Sequence, residues 1–149
     1  MAESCEIPSI NNRDEEIKQI LSSCKTIAVV GISPKEERPS FGVAKYLIER
    51  GYIIFPVNPG CKIILEKKCY PSLLDIHTGV DIVNIFRRPE FVEEIIDQAV
   101  KIKAKVVWMQ EGIVNNKAAK KARDNGIKVV MDKCLYKEHV KLETGKDKN

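Results

Sequence analysis

A chain of 149 residues falls within the roughly 100 to 200 expected of one domain, so a single domain is predicted over 1–149 and a multidomain enzyme is not. Apolar residues make up 44% and charged residues 31%, too apolar for a disordered chain, and no run approaches the roughly 18 consecutive apolar residues of a membrane span. The net charge of +4, from 25 basic and 21 acidic residues, suits a small anionic ligand without requiring nucleic acid.

Residues 1–11 lack the basic and apolar regions of a signal peptide, and Asp14, Glu15 and Glu16 argue against a transit peptide, so a cytosolic chain is expected. Asn12 and Glu15 have the spacing of a capping box, and Ile17, Ile20, Leu21 and Cys24 then recur at helical spacing. A leading helix ending near Ser23 follows. The β-branched run 26–30 stops at Gly31 and reads as a strand buried on both faces, which implies a parallel sheet. Val43, Ala44, Leu47 and Ile48 then share one helical face, and Gly51 stands where a glycine would end that helix.

The second strand is predicted at 52–57, broken by Asn58, Pro59 and Gly60. The stretch to His77 is loop-rich, with a turn or short helix beginning at Pro71 and Ser72. A third strand at 80–86 leads to Pro89, at a plausible first helical position, and to Phe91, Val92, Ile95, Ile96, Ala99 and Val100 on one helical face. A fourth strand at 105–109, a helix marked by Ala118, Ala119 and Ala122 and closed by Gly126, and a fifth strand at 128–131 complete the alternation. The core is expected over 17–136, with 137–149 a polar, frayed tail.

Alternating strands and helices with right-handed crossovers predict an α/β fold: a Rossmann-like, doubly wound parallel sheet of about five strands in the order 3-2-1-4-5, with helices on both faces. Such sheets bind ligands at the carboxyl ends of the strands, at the switch point beside strand one. Gly31 to Gly42 joins that strand to its helix, where backbone N–H groups and the helix dipole favour an anion. Ser33 and Ser40 add hydroxyls, and Lys35 and Arg38 add positive charge. The alternative is a solvated turn in which Lys35, Glu36, Glu37 and Arg38 balance one another. The loop is not the dinucleotide fingerprint, because Ser33 replaces its second glycine and strand two ends in Pro56, Val57 and Asn58 rather than an acid. No Walker A loop occurs either.

The five cysteines (Cys5, Cys24, Cys61, Cys69, Cys134) form neither a C-x-x-C nor a zinc pattern, so free thiols are expected, with Cys61 or Cys134 the candidates for reactivity. No metal site is predicted. Trp108 reads as core or as a ligand contact, and Arg87 and Arg88 flank a helix start, where positive charge favours a ligand or an acidic partner. His77 and His139 stand isolated, and no Ser-His-Asp, Cys-His or paired-acid arrangement emerges from spacing.

Together Gly31-Ile32-Ser33, Arg38-Pro39-Ser40, Pro56-Val57-Asn58-Pro59, Val80-Asp81-Ile82-Val83, Phe86-Arg87-Arg88-Pro89, Trp108-Met109-Gln110-Glu111-Gly112-Ile113 and Met131-Asp132-Lys133-Cys134 resemble the small stand-alone CoA-binding proteins. Those are similar to the CoA-binding domain of the succinyl-CoA synthetase α subunit. The resemblance, over about 17–136, implies phosphate contacts at Ser33, Pro34 and Lys35, with Arg38 and Ser40 matching the stand-alone family's own motif and Gly31 a ligand-binding residue. It further implies ligand contacts at Val57, Asn58, Pro59 and Lys62, at Phe86 and Arg87, and at Met109, Gln110 and Glu111. Glu66 stands where the family usually has a glycine, so local strain or a different path is expected there. The function implied is binding of coenzyme A or an acyl-CoA without catalysis. An enzyme or enzyme subunit acting on a CoA thioester or nucleotide is the alternative, and an interaction subunit with a vestigial site is a third.

Overall fold

The computed structural model describes residues 13–147. In chain order its elements are α1 (Asp14–Ser23), β1 (Thr26–Val30), α2 (Pro39–Glu49), β2 (Ile53–Val57), β3 (Ile63–Ile64), β4 (Lys67–Lys68), a 3-10 turn (Leu73–Asp75) and β5 (Ile82–Ile85). A second 3-10 turn (Pro89–Phe91), α3 (Val92–Lys101), β6 (Val106–Met109), α4 (Asn116–Asp124), β7 (Lys128–Val130) and α5 (Leu135–Asp147) follow. The capping box drawn from Asn12 lies outside the described residues; Arg13 occupies the N-cap of α1 without a side-chain bond to it.

The long apolar runs form one parallel five-stranded sheet in the order β2-β1-β5-β6-β7. The α/β class is as expected, but counting only the five long strands the order is 2-1-3-4-5, not 3-2-1-4-5. Pro56 explains the difference. In a parallel strand a residue's N and O point to the same side, and the Pro56 carbonyl accepts from the Tyr70 N–H (2.9 Å), outward from β1. The position lacking an N–H therefore faces the outer side, and a proline is tolerated at an edge but costs a ladder bond inside a sheet. The next long strand instead crosses to the free side of β1, pairing Ile27 with Ile82 and Val30 with Ile85.

Apolar side chains alternate to the two faces. Ala28, Val83, Ile85, Val107 and Met109 pack with α3 and α4, while Ile27, Val29, Ile82, Val106 and Trp108 pack with α1, α2 and α5. Each fully buried Ile or Leu in these layers contributes about 1.5 to 3 kcal/mol of transfer free energy. Trp108 is wholly buried, and its Nε1 donates to the Lys133 carbonyl (2.8 Å), which makes it core. The expected frayed tail is instead the helix α5. Leu135 and Leu142 are buried, and buried His139 meets the Tyr46 hydroxyl through Nδ1 (2.8 Å). Arg50 Nε donates to Glu143 (2.9 Å) at the same junction. A lysine-rich pattern concealed this narrow apolar face.

Between β2 and β5, β3 and β4 form a hairpin whose connection, Leu65 and Glu66, has φ of +53° and +61°. Two positive φ values are what a two-residue I′ connection requires, so Glu66 adopts the glycine-like conformation. A non-glycine residue pays about 1 to 2 kcal/mol for it.

At the amino ends of the strands, Asp81 Oδ2 accepts from the N–H groups of Lys25 (2.7 Å) and Thr26 (3.2 Å), with Lys105 Nζ 3.3 Å from Oδ1. Burial pushes this carboxyl up, but the two N–H bonds and Lys105 outweigh it and hold it below its ordinary value. A carboxyl depressed on folding contributes stability above its unfolded pKa, and that stability disappears as pH falls through the folded pKa. Asp81→Ala should therefore cost about 1 to 3 kcal/mol at neutral pH. Urea denaturation of both proteins should show the gap closing below about pH 4; a gap independent of pH would refute this role.

Candidate binding site at the strand ends

The winding changes direction between β1 and β5, and their carboxyl ends mark that switch point. Gly31 lies there with φ of +86°, and a Cβ on it would stand 2.6 Å from the Phe86 carbonyl oxygen and 2.9 Å from Arg87 Cδ. Glycine is thus required twice, by conformation and by close approach. Its N–H donates to the Val57 carbonyl (3.1 Å), and the Phe86 N–H donates to the Val30 carbonyl (2.8 Å).

Two hollows meet at Gly31. One, of about 330 Å³, is bounded by Val57, Asn58, Pro59, Arg87 and the α3 side chains Glu94 and Gln98. The other, of about 400 Å³, lies over Ser33, Lys35, Arg38, Ser40 and Phe86. Hydrogen bonds within the loops hold their shape. Ser40, buried at the start of α2, accepts the Ser33 N–H through Oγ (2.9 Å), and Ser33 Oγ accepts the Lys35 N–H (3.0 Å). Asn58 Nδ2 donates to the Ile32 carbonyl (2.8 Å) while its Oδ1 accepts the Gly60 N–H (2.7 Å), joining the loops after β1 and β2.

Charge at the site is one-sided around the second hollow. Arg38 is the N-cap of α2, but its side chain makes no capping bond, and Pro39 takes the first turn. Among the described residues Lys35, Arg38 and Arg87 have no carboxylate within 4.0 Å, whereas Arg88 reaches Glu90 at 4.0 Å. Arg87 lies over the Phe91 ring, 4.3 Å from its centroid, with its stem along Gly31. The solvated-turn alternative, in which Arg38 offsets Glu36 or Glu37, has no ion pair to support it. Lys35 and Arg38, unpaired among the described residues beside the N-terminus of α2, favour an anion there.

The structure therefore brings together Gly31, Ser33, Lys35, Arg38, Ser40, Val57, Asn58, Pro59, Phe86 and Arg87. The remaining predicted residues do not line either hollow. Pro34 and Lys62 are exposed, Met109 is wholly buried, Gln110 is buried, and exposed Glu111 pairs with Lys137 (3.0 Å). Sequence reasoning missed Ser72, Glu94 and Gln98; the last two occupy polar positions of α3, whose periodicity marked only the buried face. The four described cysteines are free, with burial pushing the Cys24 and Cys69 thiols up. Among the described residues no cluster of His, Cys, Asp or Glu could hold a metal ion, and no helix is long and apolar enough to cross a membrane.

A family model described as a CoA binding domain matches residues 25–140. An uncharacterized protein of Bacillus subtilis is 40% identical over 129 residues, covering 87% of this chain and 96% of its own. A solved structure of a hypothetical protein from Pyrococcus horikoshii is 43% identical with a TM-score of 0.88, over 93% of this chain and 97% of that one. An ADP-forming acetate–CoA ligase of Methanocaldococcus jannaschii is 28% identical over 131 residues, 83% of this chain but only 18% of the ligase.

Proposed function

The chain belongs to the CoA-binding-domain family, and from that premise we propose that it binds coenzyme A or an acyl-CoA across the carboxyl ends of β1, β2 and β5 and performs no chemistry of its own. The observation that carries this reading is the pair of hollows meeting at Gly31, with Lys35, Arg38 and Arg87 around them and unpaired among the described residues. Coenzyme A combines a polyanionic nucleotide with a long uncharged arm. In this reading the phosphates lie over the start of α2, where the dipole, Lys35 and Arg38 act together and the Ser40 hydroxyl proton is not spent on Ser33. The arm takes the first hollow, walled by Val57, Pro59, Pro71, Phe91 and Ile95. Strand β2 ends at Val57 and Asn58 follows it, so no carboxylate waits there for the ribose hydroxyls of NAD.

A second reading has a specific support: the match to one part of an ADP-forming acetate–CoA ligase favours a subunit that presents CoA to a catalytic partner. Calorimetry with CoA, AMP, pantetheine and NAD tests the site, with acetyl-CoA and ADP or ATP turnover measured on the same preparation. CoA should bind at least tenfold more tightly than AMP or pantetheine, each of which makes part of the contacts. NAD binding as tightly as CoA refutes the assigned site. Multiple turnovers abolished by one polar substitution refute the absence of chemistry.

A further inference from the structure

Among the described residues four polar side chains are buried: Ser40, Asn84, Gln110 and His139. Ser40 and His139 are hydrogen-bonded, to the Ser33 N–H and to Tyr46. Asn84 is wholly buried with neither Oδ1 nor Nδ2 partnered, and the Gln110 Oε1 is buried without a partner as well. Because both polar atoms of Asn84 lack partners, exchanging its amide O and N leaves the deficit unchanged.

The two residues are neighbours on one face. Asn84 pairs with Trp108 across β5 and β6, and the ladder continues through the Gln110 N–H to the Ile85 carbonyl (3.2 Å). Ile82 and Trp108 belong to the layer beneath α1, α2 and α5, so alternation puts Asn84 and Gln110 in that layer too. Diagonal neighbours on adjacent strands stand about 7 to 8 Å apart, within reach of one bridging molecule, and the two amides are not bonded to each other. We propose that Asn84 and Gln110 form an internal site that holds bound water between the ends of β5 and β6. A water molecule donates twice and accepts from a donor, matching two carbonyl oxygens and one N–H group, and buried waters typically make about three such bonds. The site is separate from the hollows at Gly31, although Phe86, the next β5-side residue after Ile85, walls one of them.

Two measurements on ligand-free protein test the proposal, so neither depends on CoA binding. In a nitrogen-labelled sample, the Asn84 side-chain amide should show magnetization transfer to a long-lived water; absence of that cross peak overturns the proposal. Asn84→Leu should expel the water and strand Gln110, lowering Tm by about 3 to 6 °C. Asn84→Leu with Gln110→Leu should lose less than the sum of the single changes, because the second substitution removes the stranded oxygen. A rise in Tm for Asn84→Leu, or strict additivity, overturns the shared site, and the wild-type spectrum decides the matter if a variant fails to fold.

Discussion

Gly31→Ala is expected to lower stability by about 3 kcal/mol or more and to abolish ligand binding. Two costs add. A side chain at φ of +86° is strained wherever it is placed. The added methyl would also lie 2.6 Å from the Phe86 carbonyl, a backbone atom that cannot rotate away. Relief requires β1 and β5 to separate at their ends, which stretches the Phe86 N–H to Val30 bond and moves Arg87 off the Phe91 ring. A loss of that size corresponds to roughly 6 to 12 °C in Tm for a domain of this length. Thermal denaturation checks it, and calorimetry at a temperature where the variant is still folded checks the loss of binding. A variant with wild-type Tm and affinity would mean that the strand ends are far softer than the close approach implies.

Element type was legible wherever apolar periodicity was strong, as in Ile27, Val29 and Val30 or Ile95, Ile96 and Ala99. Strand order depended on something else. The decisive residue is Pro56, whose missing N–H was visible in the sequence but whose facing was not, because that needs the Tyr70 bridge. The same limit applied at the C-terminus. Leu135, His139 and Leu142 span only two turns of apolar face among lysines and glutamates, and their burial depends on Tyr46 and Tyr52 arriving from α2 and the start of β2. In the site, loop residues adjacent to strand ends were found because switch-point geometry predicts them. Ser72, Glu94 and Gln98 were not, since they reach the first hollow only through the packing of α3 against the turn at Leu73. Asn84 was read as one more residue of an apolar strand, and only the register against Trp108 makes its amide conspicuous.

Arg38→Ala should weaken CoA binding by about 1 to 3 kcal/mol, the worth of a charge-assisted hydrogen bond, which is roughly 5- to 150-fold in Kd. The fold should be spared. Arg38 caps α2 through its backbone carbonyl, which accepts from Phe41 (3.1 Å) and Gly42 (3.3 Å), while its exposed side chain makes no bond to the helix. Tm should therefore stay within about 2 °C of wild type, separating loss of contact from loss of structure. Salt provides a second discriminator: a phosphate contact at an open site is screened, so wild-type affinity should fall from low to high ionic strength more steeply than that of the variant. Arg38→Lys keeps the charge but not the planar fork, so it should recover part of the affinity rather than all of it. Lys35→Ala should show a smaller loss in the same direction. Calorimetry at two salt concentrations with all four proteins decides the matter, and Arg38→Ala binding CoA with unchanged affinity would move the phosphates away from the start of α2.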